Sequence, residues 1–186
     1  MGIIKKLYRI VRYCFLYTFM YRKMESCGRH TVIIKPLRVH GSKNISVGDY
    51  TYICQGLRIE AIDSFANEKF TPHISIGNKV EMGQNCHISC VDNIVIEDDV
   101  IFGPNVMVND STHGYRQPDE PIGRQPLTHA PIKIGKGTLV GNGAIILPGV
   151  TIGEYSFIGG GCIIAKDVPA HTVVSNHQNL VMKAIN

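Results

Sequence analysis

The segment Asn109-Asp110-Ser111-Thr112-His113-Gly114-Tyr115 gathers a carboxylate, hydroxyls, an imidazole and a glycine in seven residues. A histidine with an ordinary pKa near 6.5 is neutral at working pH and can take a proton from a hydroxyl. The residues around it are suited to hydrogen-bonding a polar substrate. The segment also interrupts a regular repeat, and an irregular polar loop on a rigid scaffold is a common seat for chemistry.

That scaffold is a six-residue period. Its first positions are Val47, Ile53, Ile59, Ile76, Met82, Ile88, Ile96, Phe102, Val108, Ile134, Val140, Ile146, Ile152, Ile158 and Ile164. All are apolar in a chain that is 44% hydrophobic, so an arbitrary frame would fail at about half of them. Glycine is frequent at the second position, as at Gly77, Gly83 and Gly135, and the fifth is usually small or β-branched, as at Thr51, Val80 and Ala144. Six matches neither a helix nor an uninterrupted strand. It fits a coil that turns a corner every six residues, with three parallel strands to a triangular turn and turns stacked to bury an aliphatic column. Two segments break the period: Phe65 to His73, and the proline-rich stretch Gly114 to Pro131, which predicts a defined arm. Thr112 falls in the fifth, inward column, so the coil is expected to persist up to His113.

The flanks differ. Residues 1–38 form a basic N-terminal lead-in, 39–169 the repeat domain with its loop 114–131, and 170–186 a C-terminal cap. Residues 1–23 carry Ile3, Ile4, Leu7, Val11, Cys14 and Phe15 at helical spacing opposite Lys5, Lys6, Arg9 and Arg12, which predicts an amphipathic basic helix. Two readings stay open for it: peripheral contact with an anionic membrane surface, or packing on the scaffold or a neighbouring subunit. Its apolar run is too short and polar to span a bilayer. The net charge of +4 is concentrated at the N-terminus, which argues against nucleic acid as a partner. Six cysteines without Cys-x-x-Cys spacing indicate reduced thiols in a cytoplasm. Cys86 and Cys90, beside His87, read as buried structural thiols rather than metal ligands.

These columns, with the stretches from Pro131 to Gly153 and from Ile158 to Pro169, resemble the hexapeptide-repeat acyltransferases, in particular the galactoside, maltose and polysaccharide O-acetyltransferase branch. The resemblance implies an all-β fold, a left-handed parallel β-helix, assembled as a homotrimer with active sites between subunits. It implies an acyltransferase using acetyl-coenzyme A as donor, with no metal required. Asp110-Ser111-Thr112-His113-Gly114 occupies the place of an Asp-x-x-His-Gly motif whose histidine is the catalytic base. Asn85 matches an asparagine one turn earlier that contacts the acceptor, and its other reading is a corner residue for a tight turn. Asp92, Asp110 and Tyr115 are expected near the acceptor. Coenzyme A is expected along Gly141, Asn142, Gly159 and Gly160, with its phosphates near Ala165 and Lys166. The expected activity is O-acetylation of a saccharide, such as a surface polysaccharide or its precursor. The alternatives are N-acetylation of an amino sugar nucleotide and a non-catalytic β-helix scaffold. His129 has no evident partner in the sequence. His73, His87 and His113 are spaced 14 and 26 residues apart, which does not fit three ligands repeating at 18.

Overall fold

The computed structural model describes residues 21–176, together with Tyr8, Val11 and Phe19. The rest of the expected N-terminal helix, and residues 177–186 of the expected cap, lie outside the described residues. Among the described residues no helix is long and apolar enough to cross a membrane.

The chain winds as the left-handed parallel β-helix expected from the repeat, with three flat faces. Face 1 stacks Ser26–Cys27, Ile45–Val47, His73–Ile76, Asn93–Ile96, Ile132–Ile134 and Thr151–Ile152. Face 2 stacks Val32–Ile33, Tyr52–Ile53, Glu81–Met82, Ile101–Phe102, Leu139–Val140, Phe157–Ile158 and Val173–Val174. Face 3 stacks Arg38–His40, Arg58–Ala61, His87–Cys90, Met107–Asn109, Ile145–Ile146 and Ile163–Ile164. Every pairing within a face is parallel, and register keeps the columns together: Ile59, Ile88, Val108, Ile146 and Ile164 stand in line on face 3.

All fifteen first-position residues are buried, none more than 5% exposed. Each fully buried aliphatic side chain contributes about 1.5–3 kcal/mol by leaving water. The small fifth-position residues fill the corners. Thr51 and Thr138 are fully buried there, and each hydroxyl donates to a carbonyl of the next coil, Gly77 at 2.9 Å and Gly153 at 3.1 Å. Second-position glycines are required because coils touch: a Cβ on Gly83 would lie 2.5 Å from the backbone nitrogen of Pro104. Cys86 and Cys90 are buried, each thiol bonding a backbone carbonyl, and burial pushes the Cys86 pKa up to about 11.

The helix begins before position 39. Cys27, Ile33 and Val39 stand in register with Val47, Ile53 and Ile59, forming a first coil. The period missed it because a 3-10 turn at Ser42–Asn44 lengthens the corner and shifts the frame by two residues. The stack also runs past 169, since Val173–Val174 pairs with Phe157–Ile158.

Candidate active site

Both interruptions leave the same edge, between faces 3 and 1. The second coil gives a short hairpin, Ser64–Phe65 with Glu68–Lys69. The fourth gives the arm, an antiparallel hairpin of Ser111–His113 with Leu127–His129. The third coil passes between them through Val91 and Asp92. The arm is well defined: Gln125, only 2% exposed, donates to the carbonyls of Gln117 and Glu120 and accepts from the Gln117 N–H.

The departure point is Asp110, and here the sequence expectation is corrected. The coil does not persist to Thr112, which is exposed and belongs to the hairpin. It ends at Asp110, whose side chain is fully buried instead of facing a substrate. Its carboxylate accepts from the N–H groups of Val91, at 2.9 and 3.2 Å, and Asp92, at 2.8 Å. Its own carbonyl accepts from the Ala130 N–H at 3.0 Å and closes the base of the arm. Burial pushes the Asp110 pKa up, while the two backbone N–H bonds oppose that rise. Gly114 is glycine because the returning strand is close: a Cβ would meet the Pro126 carbonyl oxygen at 2.5 Å.

Alternation along the arm puts Ser111, His113, Leu127 and His129 on one face. The short hairpin lies against that face, and its Glu68 carboxylate accepts the Leu127 N–H at 3.2 Å. Two phenylalanines meet the two histidines edge-on: Phe65 on His113, with centroids 5.1 Å apart, and Phe70 on His129, at 5.6 Å. His129 Nδ1 is also 3.0 Å from Asp92 Oδ2. This is the partner the sequence could not supply for His129, because Asp92 reaches it only through the coil. His113 is exposed, and among the described residues its ring nitrogens make no hydrogen bond.

A cleft of about 430 Å³ opens at His113, lined by Ile62, Phe65, Leu127 and Val91 on the apolar side and by Ser89, Asn109, Ser111 and Thr112 on the polar side. Among the described residues, His113 is the one titratable side chain that lines it. The lining suits hydroxyl groups beside an apolar ring face. Ser89 was not singled out from sequence; it and Asn109 occupy outward positions on face 3 and are brought beside the arm by register.

The other expected residues are distributed over the prism. Asn85 sits on the edge between faces 2 and 3 with φ +58°, its amide 3.5 Å from the Asn105 side chain. Within one chain it is a corner residue and is not brought to His113. Tyr115 is 71% exposed and lines a separate hollow with Gly114, Arg116 and Gln125. Gly141, Asn142, Gly159 and Gly160 occupy the same edge as Asn85, one coil above another. There a Cβ on Gly143 or Gly161 would meet nothing within 4 Å, so the last two coils end in an open ledge. Ala165 and Lys166 are exposed on the edge from which the arm springs, across face 3 from that ledge. His73 pairs with Glu25, and His87 approaches Glu60, so neither converges with His113. Among the described residues no three His, Cys, Asp or Glu side chains gather around a common point.

Comparison with known proteins agrees with this architecture. The bacterial transferase hexapeptide (six repeats) pattern matches residues 131–166. The chain is 37% identical over 101 residues to a putative acetyltransferase of Schizosaccharomyces pombe, covering 54% of this chain and 48% of that protein. It is 32% identical over 120 residues to the galactoside O-acetyltransferase of Escherichia coli, covering 61% of this chain and 58% of that protein. Among solved structures, the maltose O-acetyltransferase of Clostridium difficile superposes with a TM-score of 0.54 at 25% identity, covering 83% of this chain and 66% of that one. The chain spans about half the length of the curated relatives it matches. The resemblance read from the repeat is thereby borne out: this is a hexapeptide-repeat β-helix similar to the sugar O-acetyltransferases.

Proposed function

We propose that the protein is an acetyltransferase that moves an acetyl group from acetyl-coenzyme A to a hydroxyl of a saccharide, with His113 as general base. The observation that carries this reading is the placement of His113: an imidazole with unused nitrogens, at the root of a braced arm, over a cleft of hydroxyl, amide and aromatic groups. The similarity to galactoside and maltose O-acetyltransferases supports acetyl transfer to a sugar hydroxyl.

In this reading His113 removes the proton as the acceptor oxygen attacks the thioester carbonyl. The tetrahedral intermediate then collapses with cleavage of the carbon–sulfur bond, and the leaving thiolate takes the proton from His113. General-base catalysis of this kind contributes about 10²–10⁴-fold. Holding thioester and hydroxyl together supplies roughly a further 7–11 kcal/mol of the barrier. Phe65 would offer its ring to the apolar face of a sugar, while Ser89 and Asn109 would bond its hydroxyls.

The ledge at Gly141 to Gly143 and Gly159 to Gly161 is the proposed bed for the pantetheine arm, with Lys166 toward the phosphates. Ledge and His113 lie on different edges of one prism, so the reading includes a homotrimer in which a neighbour's ledge faces the arm. Exposed Ile101 and Phe157 on face 2 and Ile163 on face 3 supply apolar surface for that contact. Work in the cytoplasm on a surface polysaccharide or its precursor, with residues 1–23 in peripheral contact with the membrane, completes the proposal.

The test is release of free thiol from acetyl-coenzyme A with galactosides, maltose and amino sugars as acceptors. Turnover with a hydroxyl acceptor that is lost in His113→Ala is the expected result. Turnover with amines alone would shift the reading to N-acetylation, and no release with any acceptor would favour a scaffold.

A further inference from the structure

Face 3 differs from the other two on its outer surface. The outward row of face 1 holds Ser26, Ser46, Ser75, Val95, Lys133 and Thr151, and that of face 2 runs through Val32, Tyr52, Glu81, Ile101 and Leu139. On face 3, Arg38, Arg58 and His87 stand side by side in one outward row, and Glu60 and Ser89 are neighbours in the next. Glu60 lies on the outside of a sheet, yet its side chain is only 5% exposed, because both arginines close over it. Arg38 Nε is 2.8 Å from one carboxylate oxygen and Arg58 Nε is 2.5 Å from the other. Desolvation by burial would raise the Glu60 pKa, but the Arg58 hydrogen bond and the charges of Arg58 and Arg38 hold it below the usual range.

One carboxylate therefore fixes two guanidinium groups without neutralising both. Each guanidinium has five donors in a planar fork, and Glu60 engages each through Nε. The arginine side chains remain 58% and 45% exposed, with a local balance of one excess positive charge. Burial and the Arg58 charge depress the His87 pKa, so that ring stays neutral beside them. The neighbouring outward residues His40, Ser89, Met107 and Asn109 add no acid. Such prealigned arginines suit the oxygen pairs of a carboxylate or phosphate.

The position of this cluster gives it a consequence for the site. Glu60 and Ser89 are paired on adjacent strands, Asn109 follows on the next, and Ser89 and Asn109 line the cleft of His113. Two strand spacings put Arg58 roughly 10 Å across the sheet from the Asn109 strand, and a third puts Arg38 roughly 15 Å away. We propose that Arg38 and Arg58 form an anion subsite for the acceptor, so that the preferred saccharide carries a carboxylate or phosphate group next to the sugar whose hydroxyl meets His113. This rests on the acceptor cleft proposed above and adds the charge of the substrate.

The test is binding, which needs no turnover. Isothermal titration calorimetry on the full chain without acyl donor compares galactose, galacturonate, galactose 1-phosphate and uridine diphosphate galactose. We expect at least one anionic probe to bind ten-fold or more tighter than galactose, with the three anions separating carboxylate, monoester and diphosphate as sources. Arg58→Gln should remove that preference and His113→Ala should retain it. Arg38→Gln and a salt titration guard against misfolding of the first variant, and both should also weaken the preference. Equal or absent binding of charged and neutral sugars, or a preference unchanged in both arginine variants, overturns the proposal. Loss of turnover with the preference intact would instead count against the acyltransfer reading alone.

Discussion

His129 Nδ1 and Asp92 Oδ2, 37 positions apart in the chain, meet at 3.0 Å and tie the arm that carries His113 to the third coil. Asp92 and Asp110 thus fasten the same arm twice, one by its strand and one by its root. If the pair positions the arm, Asp92→Asn and His129→Ala should each lower kcat/KM about ten-fold through loss of alignment, without changing donor affinity. A double-mutant cycle checks this: the double variant should lose little more than either single one. Strict additivity would show that the two side chains do not work together.

His113→Ala should reduce kcat by about 10²–10⁴-fold while coenzyme A binds as before. Steady-state rates combined with calorimetric donor binding distinguish this from collapse of the arm. An unchanged kcat would remove His113 from the mechanism.

Asp110→Ala strands two backbone N–H groups, that of buried Val91 and that of half-buried Asp92. Each such orphan costs about 1–3 kcal/mol, so the variant should lose roughly 2–6 kcal/mol in denaturant unfolding. Its activity should fall as well, because the arm's root is no longer pinned to the third coil.

Gly143→Asn tests the donor ledge. Gly143 has φ +67°, and the same edge holds Asn85 and Asn105 at +58° and +59°, so asparagine fits the backbone there. The new side chain would stand in open space above the ledge. Stability should hold, while KM for acetyl-coenzyme A rises several-fold. A normal donor KM would move the donor to another edge.

Glu60 sets an acid dependence of stability. Its folded pKa is depressed, so the carboxylate stabilises the fold above the unfolded value of about 4.3, and that contribution is lost as pH falls through the folded value. The melting temperature of Glu60→Gln should therefore lie below that of the parent at pH 7. The gap should narrow below about pH 4, and a constant gap would exclude a titrating role.

Much of the scaffold was legible because its physics is local and periodic. Ile76, Met82 and Ile88 must all point inward, and a six-residue spacing of bulky aliphatics has few other solutions. His113 was legible for the complementary reason, since it stands where the period stops. What escaped depends on stacking. Asp92 and His129 become partners only when the third and fourth coils are superposed, and Arg38 joins Arg58 and Glu60 only when the first coil is stacked on the second. The inward assignment of Thr112 failed because the period alone does not reveal that Asp110 caps the coil below and turns the chain outward two residues early.

The register carries a wider implication. Ile76 pairs with Ile96 across 20 residues and Ile134 with Ile152 across 18, yet Val47 still pairs with Ile76 across 29 and Ile96 with Ile134 across 38. One edge of the prism absorbs both the short and the long insertion and returns the chain to the same rung. Diversification at that edge is therefore nearly uncoupled from stability: arms could be exchanged between such proteins to change what is acylated, while the ladder beneath them stays as it is.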